Sequence, residues 1–143
     1  IISIIGKLKN RLGLIDKKGA RSITRKWIDE LHIKSAVPEI NASAMSGGNQ
    51  QKIVISKWLS TEPEILILDQ PTNGIDIAAK NTIYELIREL AKKGMSIIMI
   101  SDEAAEIYYN CPRALVMHKG KIVKELNTST ITEGEFGREV LDE

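Results

Sequence analysis

The sequence predicts an α/β fold: parallel strands with flanking helices, a helical region in front of them and a small β-hairpin near the end. Three observations carry that prediction. Two runs of strand length, Ile65–Leu68 and Ile97–Ile100, are apolar at every position, as expected of strands covered on both faces of a parallel sheet. Between them lies one segment of helical periodicity, and a strand–helix–strand order needs a right-handed crossover that makes the strands parallel. After them, "ALVMHKGKIVKEL" reads as two strands joined at Lys119-Gly120, a short hairpin signal.

From Asp16 onward, Ala20, Ile23, Trp27, Ile28 and Leu31 recur at spacings of three and four, one face of a helix reaching about His32. A stretch with Pro38 and Asn41 follows. Ser46-Gly47-Gly48 then opens a second helix, whose buried stripe is expected to be Ile53, Val54, Trp58 and Leu59 and which Thr61, Glu62 and Pro63 end. The first strand leads into the polar turn "DQPTNGID". Asp76 can cap the third helix, with Ala79, Ile83, Leu86, Ile87 and Leu90 as its stripe and Lys92, Lys93 and Gly94 as a basic last turn and stop. "MSIIMI" is the second strand. "SDEAAEIYYN" is a short helix with an acidic first turn, stopped before Pro112, and Thr132 with Glu135 is a capping-box pattern for a terminal helix. This ordering divides the chain into a helical subdomain over residues 1–60 and an α/β part with hairpin and last helix over residues 61–143.

The 143 residues are one domain's worth, and a domain of that size buries roughly 68–70% of the surface its unfolded chain exposes. Lys+Arg 20 against Asp+Glu 19 leaves a net charge of +1 with the signs interspersed, so charge gives no reason to expect nucleic acid or an anionic membrane surface as partner. The single cysteine, Cys111, cannot form an internal disulfide, and no His/Cys cluster has metal-ligand spacing, which suits a reducing, cytoplasmic setting. The apolar runs are far below the roughly 18 residues of a membrane span. The opening "IISIIGKLK" puts apolar residues before lysines, the reverse of a signal peptide, and lacks an initiating methionine, so the chain reads as an excerpt of something longer.

Two places carry chemistry. In "MSGGNQQK" two glycines precede a helix, so the backbone can approach a ligand closely while the first helix amides stand as donors at the positive end of the dipole: an anion site suited to phosphate. The alternative is that Ser46 is only an N-cap and the glycines only a turn. Asp69, at the C-terminal end of a buried parallel strand, can hold Mg²⁺ directly or through water, or else cap a turn.

The order and spacing of these pieces resemble the ATP-binding cassette ATPases. "MSGGNQQK" is similar to their signature motif, "ILILDQPT" to the Walker B strand, "NGID" to the D-loop and "MISDE" to the switch loop. The wording is similar, over essentially the whole chain, to the second cassette of the tandem ATPases that energise bacterial sugar importers of the ribose and galactose type. The resemblance implies a truncated P-loop NTPase-type cassette, with ATP and Mg²⁺ as cofactors and ATP hydrolysis coupled to monosaccharide uptake. It implies as partners an N-terminal cassette of the same ATPase or a second copy, membrane permease subunits and, indirectly, a sugar-binding protein, at the inner face of the plasma membrane.

In that family ATP lies between the P-loop of one cassette and the signature of the other. Ser46, Gly47, Gly48 and Asn49 are therefore expected to face the partner cassette's ATP, with Asp76 in the D-loop, while Asp69 (metal), Gln70 and Ser101 belong to this cassette's own site. Gln70 stands where the family usually has a glutamate that polarises water, and Ser101 at the switch position where it usually has histidine. An amide can orient water but lacks the charge that favours proton removal, so this site is expected to bind better than it hydrolyses.

No G-x-x-x-x-G-K-[ST] occurs in these residues, so the P-loop strand is absent from them and the chain alone is expected to be inactive. An open sheet edge would then invite self-association, or a rearrangement of the last strands to cover it. Two other readings stay open: a regulatory or binding module of cassette shape without turnover, and the C-terminal lobe of a chromosome-maintenance or DNA-repair ATPase, against which stands the lack of sustained heptads before Ser46.

Overall fold

A computed structural model of the chain describes residues 4, 6, 8, 9, 13–34 and 39–141. The chain divides into two compact units, residues 1–66 with 72–96, and residues 67–71 with 97–143.

In the first unit, α1 (Lys17–Glu30) starts where the sequence places it, because the Asp16 carboxylate accepts the Lys18 and Gly19 N–H groups, each at 3.0 Å. Its predicted face is half-buried at Ala20, Ile23, Trp27 and Ile28, and Leu31 beyond its end is buried. A short 3₁₀ turn, Ala42–Ala44, leads to α2 (Gly47–Leu59). The third helix, α3 (Ile77–Lys92), is capped by Asp76, whose Oδ1 accepts the Ala79 N–H at 2.9 Å; it buries Ile83, Leu86, Ile87 and Leu90 and stops at Gly94 with φ +95°.

The stripe expected on α2 needs correction at two positions, since Leu59 is buried and Ile53 half-buried. Val54 and Trp58 are 48% and 52% exposed, while Gly48, Ile55 and Leu59 are the buried residues. Spacings of seven and four put those three on one face, and α3 packs against α2 closely enough that the contact selects the smallest residue at position 48.

Strand β1 (Ile65–Asp69) pairs with β2 (Ser96–Ile100). The Ser96 N–H reaches the Glu64 carbonyl at 3.3 Å and the Gln70 N–H the Ile100 carbonyl at 2.9 Å, so the register advances in the same direction along both strands: they are parallel. Burial alternates, however. Leu66 and Leu68 are buried, whereas Ile65, Ile67, Ile98 and Ile100 are all at least 48% exposed. Cover on both faces was expected; among the described residues the sheet has two strands, and no described element lies against its isoleucine face.

In the second unit, α4 (Ala104–Asn110) is followed by β3 (Arg113–His118), β4 (Lys121–Asn127) and α5 (Glu133–Leu141). The antiparallel register ends at His118 opposite Lys121, across a two-residue turn in which Lys119 and Gly120 have φ of 47° and 78°, the left-handed pair of a type I′ hairpin. These last strands pair with each other and form a sheet separate from β1 and β2, so the expected rearrangement over the open edge is not seen among the described residues. Phe136 of α5 is 2% exposed, with its ring centroid 5.6 Å from that of Tyr108 on α4.

The capping box forms as the sequence implies. The Glu135 carboxylate accepts from the Thr132 N–H and hydroxyl, both at 2.8 Å, and the Thr132 oxygen accepts the Glu135 N–H at 3.3 Å. The Thr132 backbone N–H first, and its hydroxyl second, hold the Glu135 carboxyl below the usual range. A carboxyl lowered by folding contributes stability above its unfolded value, and that contribution is lost as pH falls through the folded value. Glu135→Gln should therefore lower the denaturation midpoint at neutral pH and converge with the unsubstituted chain in acid. A constant difference down to pH 2 in a urea titration would show that the carboxylate charge is irrelevant.

Candidate functional site

The start of α2 is built without a side-chain cap. Ser46 has cap-like backbone angles, φ −61° and ψ 153°, yet its hydroxyl caps no helix amide. It accepts instead from Asn49 Nδ2 at 2.9 Å, and Asn49 Oδ1 accepts the Lys34 N–H at 3.0 Å. Gln50 closes the turn from the other side, Nε2 donating to the Met45 carbonyl at 2.8 Å. Ser46 thus receives a hydrogen bond and keeps its own proton for a ligand. The Gly47, Gly48 and Asn49 N–H groups take no partner among the described residues. Of the two readings open for Ser46, the simple N-cap lacks its side-chain bond to a helix amide here.

The two glycines divide their work. Gly47 is exposed, as close approach of a ligand requires, although a Cβ there would lie 3.1 Å from Ile75 Cγ2. Gly48 is buried, and a Cβ on it would stand 2.7 Å from Ala79 Cβ, so its smallness serves helix packing. Because Ile75 and Ala79 flank the capping residue Asp76, the same contacts bring Ser46–Asn49 and the Asp76 turn into one neighbourhood. Asp76, expected among the nucleotide-binding residues, spends one carboxylate oxygen on the α3 cap.

The second group lies at the ends of β1 and β2. Asp69 and Gln70 are exposed, and Gln70 has φ 45°, a left-handed backbone that is uncommon outside glycine. Its N–H is tied to Ile100, the residue before Ser101, so Gln70 and Ser101 stand at neighbouring strand ends. The Ser101 hydroxyl donates to Glu106 Oε2 and accepts the Glu103 N–H at 3.0 Å. Glu106 is only 5% exposed and was not anticipated: its position in the first turn of α4 reads as a dipole-complementing surface charge, and only the chain's path turns it inward. Burial first, and the Glu106 charge second, push the Cys111 thiol up, which argues against a thiolate nucleophile.

Among the described residues no group of three or more His, Cys, Asp or Glu side chains could hold a metal. A single exposed carboxylate at a strand end, Asp69, nevertheless fits Mg²⁺ of the kind that takes one protein carboxylate and completes its shell with phosphate and water.

The family model described as "ABC transporter" matches residues 7–73, which contain α2 and β1. The galactose/methyl galactoside import ATP-binding protein MglA of Shigella boydii serotype 4 (strain Sb227) is 46% identical over 138 residues, 96% of this chain and 27% of its own length. The MglA of Escherichia coli (strain K12) matches with the same identity and coverage. The chain therefore spans about a quarter, 27%, of the length of these curated relatives. Among solved structures, a nucleotide-free ATP-binding cassette from an ABC transporter superposes with a TM-score of 0.77 at 22% identity, covering 99% of this chain and 57% of that one. The cassette MJ0796, in a dimeric post-hydrolysis state bound to ADP and Pi, superposes with a TM-score of 0.66 at 20% identity, covering 83% and 51%. The glycine-led helix, the aspartate-ended parallel strand and these likenesses agree, and the chain belongs to the ATP-binding cassette family of ABC transporters.

Proposed function

We propose that this chain forms the signature-bearing part of a cassette in a bacterial sugar importer, where ATP binding and hydrolysis drive monosaccharide uptake beside membrane permease subunits. The start of α2 carries the proposal. An exposed Ser46 hydroxyl that caps no helix amide stands beside first-turn N–H groups without a partner among the described residues, the donors that an ATP γ-phosphate held by the opposite cassette requires. Galactose and methyl galactoside are what the named relatives import, which points to a monosaccharide as cargo. Asp69 would hold Mg²⁺, which supplies charge neutralisation at the phosphates when bound. At the ends of β1 and β2, binding without rapid turnover is favoured, because Gln70 offers an amide in place of a carboxylate.

The test is turnover in the full-length protein assembled with its membrane partner. Ser46→Arg fills the anion site and should lower hydrolysis by about a hundredfold or more, the scale of losing a preorganised donor set. Gln70→Glu should leave it unchanged or raise it. Undiminished hydrolysis in Ser46→Arg would remove the signature helix from the active site.

The 143-residue chain, studied alone, should neither hydrolyse ATP nor bind it tightly, since no phosphate-cradling loop lies within it. Its uncovered isoleucines and open strand edges should drive association with a second copy. Light scattering is expected to report an oligomer that Ile67→Lys disperses. A monomer at every concentration would count against this.

A further inference from the structure

The Ser101 hydroxyl has one proton and two acceptor lone pairs to use. Its proton goes to Glu106, and one lone pair receives the Glu103 N–H at 3.0 Å. What is left to face a ligand is a lone pair. Glu106 is 5% exposed on α4, so water does not readily take its place as the partner. Ser101 also follows Ile100, whose carbonyl takes the Gln70 N–H at 2.9 Å, which puts the serine at the strand ends discussed above.

We propose that Glu106 is a positioning residue that fixes Ser101 as an acceptor, so that the site at the ends of β1 and β2 does not distinguish ATP from ADP through this serine. The inference rests on reading those strand ends as a nucleotide site. A terminal phosphate is a cluster of acceptors and is recognised by donors. A serine that has already given its proton away contributes nothing to γ-phosphate affinity; it suits a water molecule or a carboxamide N–H such as Gln70 carries.

Two measurements test this. In the chain itself, proton NMR should find a slowly exchanging Ser101 hydroxyl proton close to the Glu106 side chain, lost in Ser101→Ala and exchanging with solvent in Glu106→Leu. A hydroxyl proton that exchanges with bulk water in the unsubstituted chain overturns the proposal. In the full-length protein, Ser101→Ala should leave the ratio of ATP to ADP dissociation constants unchanged within about twofold. Glu106→Leu, which keeps the buried volume, should free the proton and shift that ratio toward ATP by about tenfold or more, the scale of one hydrogen bond to a charged group; Glu106→Ala serves if Leu does not fold. The gain should vanish when Ser101→Ala is added. Loss of ATP preference in Ser101→Ala alone overturns the proposal. If neither nucleotide binds while the hydroxyl proton stays protected, the nucleotide reading falls, and with it the discrimination proposed here, but not the hold of Glu106 on Ser101.

Discussion

Gly48→Leu should destabilise the first unit by about 3 kcal/mol, because overpacking a close helix contact forces backbone to move. The Cβ alone would stand 2.7 Å from Ala79 Cβ, and neither atom sits at the end of a flexible side chain that could swing away. Even Gly48→Ala should destabilise, although alanine ordinarily gains about 1 kcal/mol over glycine inside a helix. The sign of that substitution separates the two effects. Ala79→Gly should rescue Gly48→Ala, so that a double-mutant cycle followed by urea denaturation yields a favourable coupling. A stabilising Gly48→Ala, or additive single changes, would mean that α2 and α3 can separate at no cost. The result bears on the anion site proposed above, because the contact that excludes a side chain at 48 also keeps the start of α2 beside the Asp76 turn.

Phe136→Ala should cost about 3–5 kcal/mol, the range for deleting a buried aromatic ring. Phe136 is the sole phenylalanine of the chain and is 2% exposed. Its ring meets Tyr108 at a centroid distance of 5.6 Å, and Tyr108 in turn donates its hydroxyl to the Ile131 carbonyl at 3.1 Å, just ahead of the α5 cap. The substitution therefore removes both packed area and the support that orients a part-buried hydrogen bond. Phe136→Leu, which keeps most of the volume, should cost less than half as much. Equal melting midpoints for Phe136→Ala and the unsubstituted chain would show that α5 is not integral to the second unit.

Much of the fold is legible in the sequence where a local rule and the global packing agree. The third helix is the clearest case: Asp76 caps it, the stripe Ile83, Leu86, Ile87 and Leu90 is buried, and Gly94 ends it with a left-handed backbone. The capping box at Thr132 and the turn at Lys119-Gly120 are similarly local, since the residues that make each contact lie within three positions of one another. The α2 stripe is not local. Leu59 is buried as expected, but Val54 and Trp58 satisfy helical periodicity as well as Ile55 does, and what decides between them is which side α3 approaches. The isoleucines of β1 and β2 mislead for a related reason: uniform apolarity states how a strand is prepared to be covered, while cover depends on layers not seen among the described residues. In the candidate site, Ser46, Gly47 and Asp69 are singled out by the glycine-led helix and the strand end, each with a cap or turn as the alternative, while Gln70 is named only through the resemblance to the cassette family. Glu106 could not, because nothing in "DEAAEIYY" says which carboxylate turns inward.

The left-handed backbone at Gln70 has a further consequence. Its N–H is anchored to the Ile100 carbonyl and its φ is 45° at the point where the strand ends, so a backbone bond helps to fix the main chain there. A carboxamide and a carboxylate differ by an NH₂ group in place of an oxygen, with nearly the same shape and the same rotatable bonds. The backbone bond to Ile100 does not depend on the side chain, so Gln70→Glu is expected to keep the strand end in place, and under the function proposed above a single base change in the Gln70 codon would exchange an amide for a carboxylate there.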